Sequence, residues 1–441
     1  MTLAALRKKI EQKEARLAVI GLGYVGLPVA CTFAKAGFDV VGIDIQQDRI
    51  DKINARISPI EGNEPGLAEL LAEVIKAGEL RASTDYDLLR DQDIVLISVE
   101  TPVDAKNKPR YEALRAALKS LGEAIKAGAL VIIESTIAPG TMDKVVAPLL
   151  EESSGKKLNS SFFLGNCPER VMPGRLLYNL TQLSRVVGGM NQETAEVMVA
   201  LYRHIIPEAD LDPTDCVTAE LVKTAENAYR DVQIAFANEV ALISEAVGGD
   251  VWKVRELVNK SPGRHMLMPG AGVGGHCIPK DPWLLAYGAN GSDTTLHLIP
   301  AARAVNDAMP GHMMDLLKKA LGKNLKGARI LVMGYAYLED SDDTRNSPSQ
   351  TLVDHLKKEG AETIIHDPFV SEYEGNLLEM AQGCEAAVLM VKHSAYAGLD
   401  LRELAGAMKQ AILIDGRGFY SREEAEAAGL RYVGIGVAGR S

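Results

Sequence analysis

The stretch GVGGHCIPKDPW, Gly272 to Trp283, holds the residue best suited to covalent chemistry, Cys277. It follows Gly274 and Gly275 and precedes the pair Lys280–Asp281. The segment shows neither helical nor strand periodicity, so the thiol is not part of an obvious core face. A thiol near a cation has a lowered pKa and attacks electrophilic carbon. Glycines beside it allow something to approach closely. A lone cysteine also serves as a small core hydrophobe, so the rest of the chain must decide. A second set lies further upstream, where Glu220, Lys223, Asn227 and Arg230 (or Asp231) recur as a stripe on one helix. A lysine and an amide one turn apart suit a developing oxyanion, although such a stripe is also how a solvated face looks.

A third set is nearer the N-terminus. Gly21-x-Gly23-x-x-Gly26 follows the apolar run LAVI and opens a helical pattern. The next apolar run, FDVVGID, ends in Asp44, about 20 residues on, where a carboxylate binds the ribose hydroxyls of NAD and repels the 2′-phosphate of NADP. Thr101–Pro102 and Ser135, Thr136 and Thr141 follow later apolar runs, at strand ends where ligands bind in such sheets. Cap and turn chemistry would use the same residues. Glu169, Arg170 and Arg175 cluster in NCPERVMPGR, and Arg345 stands in GYAYLEDSDDTRNSP. Arg345 suits bidentate phosphate binding or a pair with Asp342 or Asp343.

The elements that would carry these residues alternate between strand and helix. LAVIG, FDVVGID, DIVLISV, ALVIIES and FFLGN are mostly unalternating apolar runs, as in a parallel sheet covered on both faces. The segment from Asp212 to Gly249 has no strand signal and predicts a helix of about 35 residues, about 50 Å long, capped at Asp212 or Thr214. Strand–helix alternation resumes near Gly327 with ARILVMG, ETIIHD, AAVLMV, QAILID and LRYVGIG. The fold class is therefore α/β, with two Rossmann-like doubly wound domains joined by a long central helix. The expected divisions are residues 1–205, 206–315 and 316–441. The opening MTLAALRKKIEQKEAR predicts a short amphipathic helix and lacks a signal peptide's apolar stretch.

Composition bounds the function. The 441 residues are 47% hydrophobic and 24% charged, as in a soluble globular protein, and carry a net charge of −11. That charge argues against bulk nucleic-acid or membrane binding. Five scattered cysteines without a CxxC pair argue against a disulfide framework and fit a reducing cytoplasm. His265, His276, His366 and His393 lack metal-ligand spacing, so no metal is expected.

Taken together, GLGYVGLP, STIAPGT, CPERVMPG, VKTAENAYRDVQIAFANE, GVGGHCIPKDPW and DDTRNSP resemble, in order, the UDP-glucose/GDP-mannose dehydrogenase family. The resemblance implies an NAD-binding domain, a central dimerisation region and a nucleotide-binding domain. It also implies oxidation of a nucleotide sugar's C6 alcohol to a carboxylate with two NAD+. By that resemblance Cys277 is the nucleophile, and Lys223 and Asn227 stabilise the oxyanion. Thr136, Asp281 and Glu169 become water-positioning or acid/base residues. Cofactor contacts are implied for Gly21, Gly23, Tyr24, Val25, Gly26, Asp44, Arg49, Thr101, Pro102, Ser135 and Thr136. Substrate contacts are implied for Glu169, Arg170, Val171, Lys223, Asn227, Arg230, His265, Gly274, Gly275, Tyr337 and Arg345. Arg264 resembles an arginine lent to the site of the partner in a homodimer.

The motifs resemble the branch acting on UDP-N-acetylhexosamines, UDP-N-acetylmannosamine ahead of UDP-N-acetylglucosamine. Such uronates commonly feed polysaccharide synthesis in the family. Two positions depart from the family pattern. Pro173 stands where many glucose-type members have a second glutamate, and Leu338 where a lysine is frequent. A β-hydroxyacid dehydrogenase shares the Rossmann domain and the Lys–Asn helix but needs neither Cys277 nor the last 110 or so residues. An NAD-sensing module without turnover would leave the thiol idle.

Overall fold

The computed structural model describes residues 1–60, 62 and 64–437. The chain separates into two compact units. One comprises residues 1–226 and 283–292, the other residues 227–282 and those from 293 onward.

The first unit holds an eight-stranded sheet. Its strands are β1 (Leu17–Ile20), β2 (Val40–Ile43), β3 (Leu80–Ser83), β4 (Ile94–Ile97), β5 (Ala129–Ile133), β6 (Phe162–Asn166), β7 (Arg185–Gly189) and β8 (Leu211–Asp215). They lie in the order β3-β2-β1-β4-β5-β6-β7-β8. The first six are parallel, the dinucleotide-binding order with its reversal between β1 and β4. Leu17 and Val19 enter one core and Ala18 and Ile20 the other, which is why these strands are apolar without alternation. The N-terminal helix α1 (Leu3–Glu11) buries Leu3, Leu6 and Ile10 in the first of those cores.

Two features differ from the sequence expectation. β7 runs antiparallel to β6, so the sheet is not wholly parallel. The segment from Asp212 onward does contain strand, because β8 pairs with β7 at the sheet edge. Its polar sequence LDPTD hides it, and Pro213 is tolerated because an edge strand can lack a backbone donor. The long helix consequently starts later, at Cys216, and runs 32 residues to Val247. Its cap is neither Asp212 nor Thr214. Asp215 accepts from the Thr218 amide at 2.8 Å and from the Thr218 hydroxyl at 2.7 Å.

The second unit holds a five-stranded, fully parallel sheet: β9 (Arg329–Met333), β10 (Glu362–His366), β11 (Ala386–Leu389), β12 (Ile412–Asp415) and β13 (Arg431–Gly434). The order β10-β9-β11-β12-β13 is the other common doubly wound arrangement, with its reversal between β9 and β11. Ile330 and Val332 face one core, and Leu331 and Met333 the other. Among the described residues no helix is long and apolar enough to cross a membrane.

Candidate functional site: a dinucleotide turn and an exposed thiol

In the first unit the chain leaves β1 through Gly21, at φ +89°. A Cβ on Gly21 would stand 2.6 Å from the Ser98 carbonyl oxygen, and one on Gly26 only 1.8 Å from the Gly21 carbonyl oxygen. Gly23 is different, with nothing within 4 Å of where its Cβ would be. The outer glycines thus let the turn pack, and the middle one leaves space for a ligand. Tyr24 and Val25 complete the turn. Helix α2 (Gly26–Lys35) follows with no side-chain cap, so its amide end suits an anion.

Asp44, at the end of β2, is buried. It accepts from the Leu22 amide (2.8 Å), the Gln46 amide (2.9 Å) and Arg49 (2.8 Å). The turn, the open space over Gly23 and this carboxylate fit an NAD. The ends of β4 and β5 are laced together as well. Thr101 donates to the Thr136 carbonyl and Ser135 to the Val99 carbonyl, both at 2.6 Å, while the Pro102 carbonyl accepts the Arg110 amide.

After β6, Glu169 accepts the Val171 amide, and Arg170 binds Glu226 and the Ser184 carbonyl. Glu64 joins this loop to the glycine turn, accepting from the Tyr24 hydroxyl and from the Gly174 amide (2.8 Å). Sequence reasoning did not single out Glu64. It also missed a buried network at the ends of β4 and β5. There Glu134 accepts from Tyr202 (2.8 Å) and Ser98 (2.9 Å) and lies 3.5 Å from Arg185. Burial pushes the Glu134 carboxyl up. The signal was available, since a glutamate ending the run VII is out of place unless it is paired.

On the long helix, Lys223 is buried, and Glu220 has a structural task. Glu220 accepts the Gly140 amide (2.6 Å) and the Met142 amide (2.8 Å), so it holds the turn that follows Thr136. Burial pushes its carboxyl from 4.5 up to about 7. An acid raised in the folded state keeps its proton longer than in the unfolded chain. Stability therefore falls as pH rises from about 4.5 to about 7, by about 3 kcal/mol. Glu220→Gln should remove this slope. Urea midpoints of both proteins at pH 5 and pH 7.5 check it, and an undiminished slope in the variant would assign it to another group.

The stripe continues in the second unit through Asp231, not Arg230, because eleven residues complete just over three turns from Glu220. Arg230 is exposed. Asp231 is fully buried, 2.6 Å from Arg303, and accepts from Asn306 at 2.7 Å.

Cys277 is the exposed member of the five cysteines; the other four are buried, and none forms a disulfide. Its carbonyl accepts the Asp281 amide at 2.8 Å, so thiol and carboxylate start successive turns. Asp281 is fully buried, with Lys280 at 2.8 Å and the Asn227 amide group at 2.5 Å. The Lys280 cation expected beside the thiol is thus already neutralised by Asp281. The close approach that Gly274 and Gly275 permit is made by Tyr337, whose atoms would lie 2.6 Å from a Cβ at either position. Burial pushes the Tyr337 hydroxyl up to about 12, with Asp343 adding to the effect.

Arg345 takes the second of its two expected roles here, pairing with Asp343 at 2.9 and 3.0 Å. Arg264 and His265 are exposed, and Arg264 donates to the Pro262 carbonyl. Leu338 is 37% exposed. Among the described residues no three His, Cys, Asp or Glu side chains are grouped to hold a metal.

Three family models match the chain in succession. They are the NAD-binding domain (residues 15–206), the central domain (217–308) and the UDP-binding domain (331–422) of the UDP-glucose/GDP-mannose dehydrogenase family. The chain is 39% identical over 405 residues to a UDP-N-acetyl-D-mannosamine dehydrogenase of Pyrococcus horikoshii, covering 91% of this chain and 95% of that one. The solved structure of the UDP-D-ManNAc dehydrogenase from Pyrococcus horikoshii superposes with a TM-score of 0.90 at 38% identity, covering 96% of this chain and 99% of that one. An NDP-N-acetyl-D-galactosaminuronic acid dehydrogenase from Methanosarcina mazei superposes with 0.86 at 36% identity, covering 100% and 98%. The chain belongs to the UDP-glucose/GDP-mannose dehydrogenase family and is an NAD-dependent nucleotide-sugar dehydrogenase.

Proposed function

We propose that this enzyme oxidises the C6 alcohol of a UDP-N-acetylhexosamine, UDP-N-acetyl-D-mannosamine first, to the uronic acid. The observation that carries the proposal is the exposed Cys277, one turn before the buried Asp281 that Asn227 holds, while every other cysteine is buried. The choice of sugar rests on the names of the relatives and on the sequence motifs. When bound, NAD would supply the hydride acceptor for each of two oxidations at the sugar carbon. Gly21, Gly23, Tyr24, Val25 and Gly26 hold its pyrophosphate, and Asp44 with Arg49 its adenosine ribose. Thr101, Pro102, Ser135 and Thr136 line the strand ends nearby.

Between the oxidations, the Cys277 sulfur adds to the C6 aldehyde, and the carbonyl oxygen becomes the hydroxyl of a thiohemiacetal. Loss of the second hydride and that proton leaves a thioester. Water then breaks the C–S bond, releasing the carboxylate and restoring the thiol. Lys223 and Asn227 stabilise the oxyanions, and Thr136, Asp281 and Glu169 position water or move protons. Glu169, Arg170, Val171, Arg230, His265, Gly274, Gly275, Tyr337 and Arg345 contact the UDP-sugar. The three functional parts are residues 1–205, 206–315 and 316–441, working in a reducing cytoplasm. NADH should appear at two per sugar, with a uronate as product, and fastest with UDP-N-acetylmannosamine in a panel that includes UDP-N-acetylglucosamine and UDP-glucose. One NADH per sugar, with no uronate, would sink the thioester route.

The enzyme works as a homodimer in which Arg264 serves the partner's site. The long helix supports this. Tyr229, Phe236 and Ile243, at seven-residue spacing, are 66%, 58% and 59% exposed, and Val247 continues the stripe. Such an apolar seam is covered by a second copy of the helix. Phe236→Glu is expected to give a folded monomer in light scattering with little turnover. A fully active dimer would refute the seam.

A further inference from the structure

Ligands of doubly wound sheets bind beyond the carboxyl ends of the strands, where the order reverses. In the second sheet this place lies between β9 and β11. Three loops leave it, after β9, β10 and β11, and one buried pair holds all three. Asp367, 0% exposed, follows β10. Its carboxylate accepts the Tyr335 amide (2.6 Å) and the Ala336 amide (2.8 Å) of the loop after β9, and its own loop's Phe369 amide (2.9 Å). It also meets His393 Nε2 of the loop after β11 at 3.0 Å; His393 is likewise 0% exposed.

The other nitrogen of His393, Nδ1, faces the Asp340 amide at 3.0 Å. An amide N–H can only donate, so Nδ1 accepts and the ring proton sits on Nε2, aimed at Asp367. Asp340 has φ +52°, a left-handed conformation that a non-glycine residue keeps when its surroundings hold it there. The Ser394 amide, donating to Asp340 Oδ1 at 2.7 Å, is the second hold.

Beyond Asp340 the same loop reaches the thiol's segment. The Arg345 carbonyl accepts the Gly275 amide at 2.9 Å, and Asn346 Nδ2 donates to the Gly275 carbonyl at 3.1 Å. Tyr337 lies against both Gly274 and Gly275. One loop therefore carries the nucleotide arginine and braces the backbone two residues before Cys277.

We propose that His393 and Asp367 are a positioning pair that holds Asp340 and so sets Arg345 and the Cys277 segment together. This rests on the roles given above to Arg345 and Cys277. Both members are 0% exposed, so the pair acts through the loops it holds. Burial pushes the Asp367 carboxyl up, but hydrogen bonds from His393 and the backbone outweigh it and hold the group at about 2. Asp367 therefore stays an anion, and the pair acts by geometry rather than by moving protons.

Three variants separate this role from simple core packing. His393→Asn keeps an acceptor oxygen near the place of Nδ1, His393→Gln places its amide near Nε2 only, and His393→Ala removes both. Two readouts need no turnover: the Kd of UDP by calorimetry, and the rate at which iodoacetamide alkylates Cys277, the other cysteines being buried. His393→Ala and His393→Gln should raise the Kd of UDP about tenfold, as expected for one lost buried hydrogen bond. They should also change the alkylation rate several-fold. His393→Asn should stay near the parent in both, and the Kd of NAD should not move in any variant. The Asn–Gln contrast stands even if His393→Ala does not fold. Equal losses in Asn and Gln, unchanged values in all three, or a parallel loss of NAD binding would each overturn the proposal. Arg345→Ala serves as the separate check on the parent reading. If it leaves UDP binding unchanged, the nucleotide role of Arg345 fails, whereas an unchanged alkylation rate in His393→Gln fails the bracing of the thiol.

Discussion

Cys277→Ser is expected to lower uronate formation by about a thousandfold or more while NAD and UDP still bind as before. A serine hydroxyl is far less ionised than a thiol near neutral pH, so it adds to the aldehyde poorly. An ester, if it formed, would also leave a poorer leaving group for water to displace. The first oxidation needs no covalent bond to the chain. Rapid mixing should therefore show at most one NADH per site, and aldehyde trapped by a hydrazine reagent. The position is exposed, so the substitution opens no cavity and the melting temperature should hold within a few degrees. Two NADH per sugar at a normal rate from this variant would remove Cys277 from the mechanism.

Gly26→Ala is expected to weaken NAD binding at least a hundredfold. The new methyl would sit 1.8 Å from the Gly21 carbonyl oxygen, a backbone atom that cannot swing aside as a side chain can. Helix α2 must then move away from β1, and its amide end moves with it. The Gly21 turn and the space over Gly23 are lost together. UDP binding by the second unit should be unaffected, which separates this local damage from global unfolding. Calorimetry with NAD and with UDP is the measurement. A variant that binds NAD within threefold of the parent would show that the turn adapts.

The sequence made the two sheets largely legible, because helices on both faces demand apolar runs such as LAVI and ALVII, and those cannot be mistaken for surface. It failed at β3, β7 and β8. Edge and near-edge strands need only partial burial, and LDPTD carries no apolar periodicity at all. The glycine turn was readable because each glycine has a separate steric reason. The surroundings of Cys277 were less so. Lys280 and Asp281 are adjacent in sequence, yet only the folded chain shows that they neutralise each other and that Asn227 completes the group. The glycines before Cys277 read as room for a ligand, whereas a tyrosine some 60 residues away fills that room. Long-range pairs of this kind, Glu134 with Arg185 and Asp367 with His393 among them, leave no local signature.

The joint between β8 and the long helix has a further meaning. Asp215 is at once the last residue of the edge strand and the cap of the helix, so no slack separates them. Each residue of a helix turns its successors by about 100°. A single insertion or deletion between Asp215 and Lys223 would swing Lys223 and Asn227 together to another side, with every later contact of the helix carried along. Length changes within this lineage should therefore be absent from that short interval and fall instead in the connection between β7 and β8, where the helix's rotational phase is not yet set.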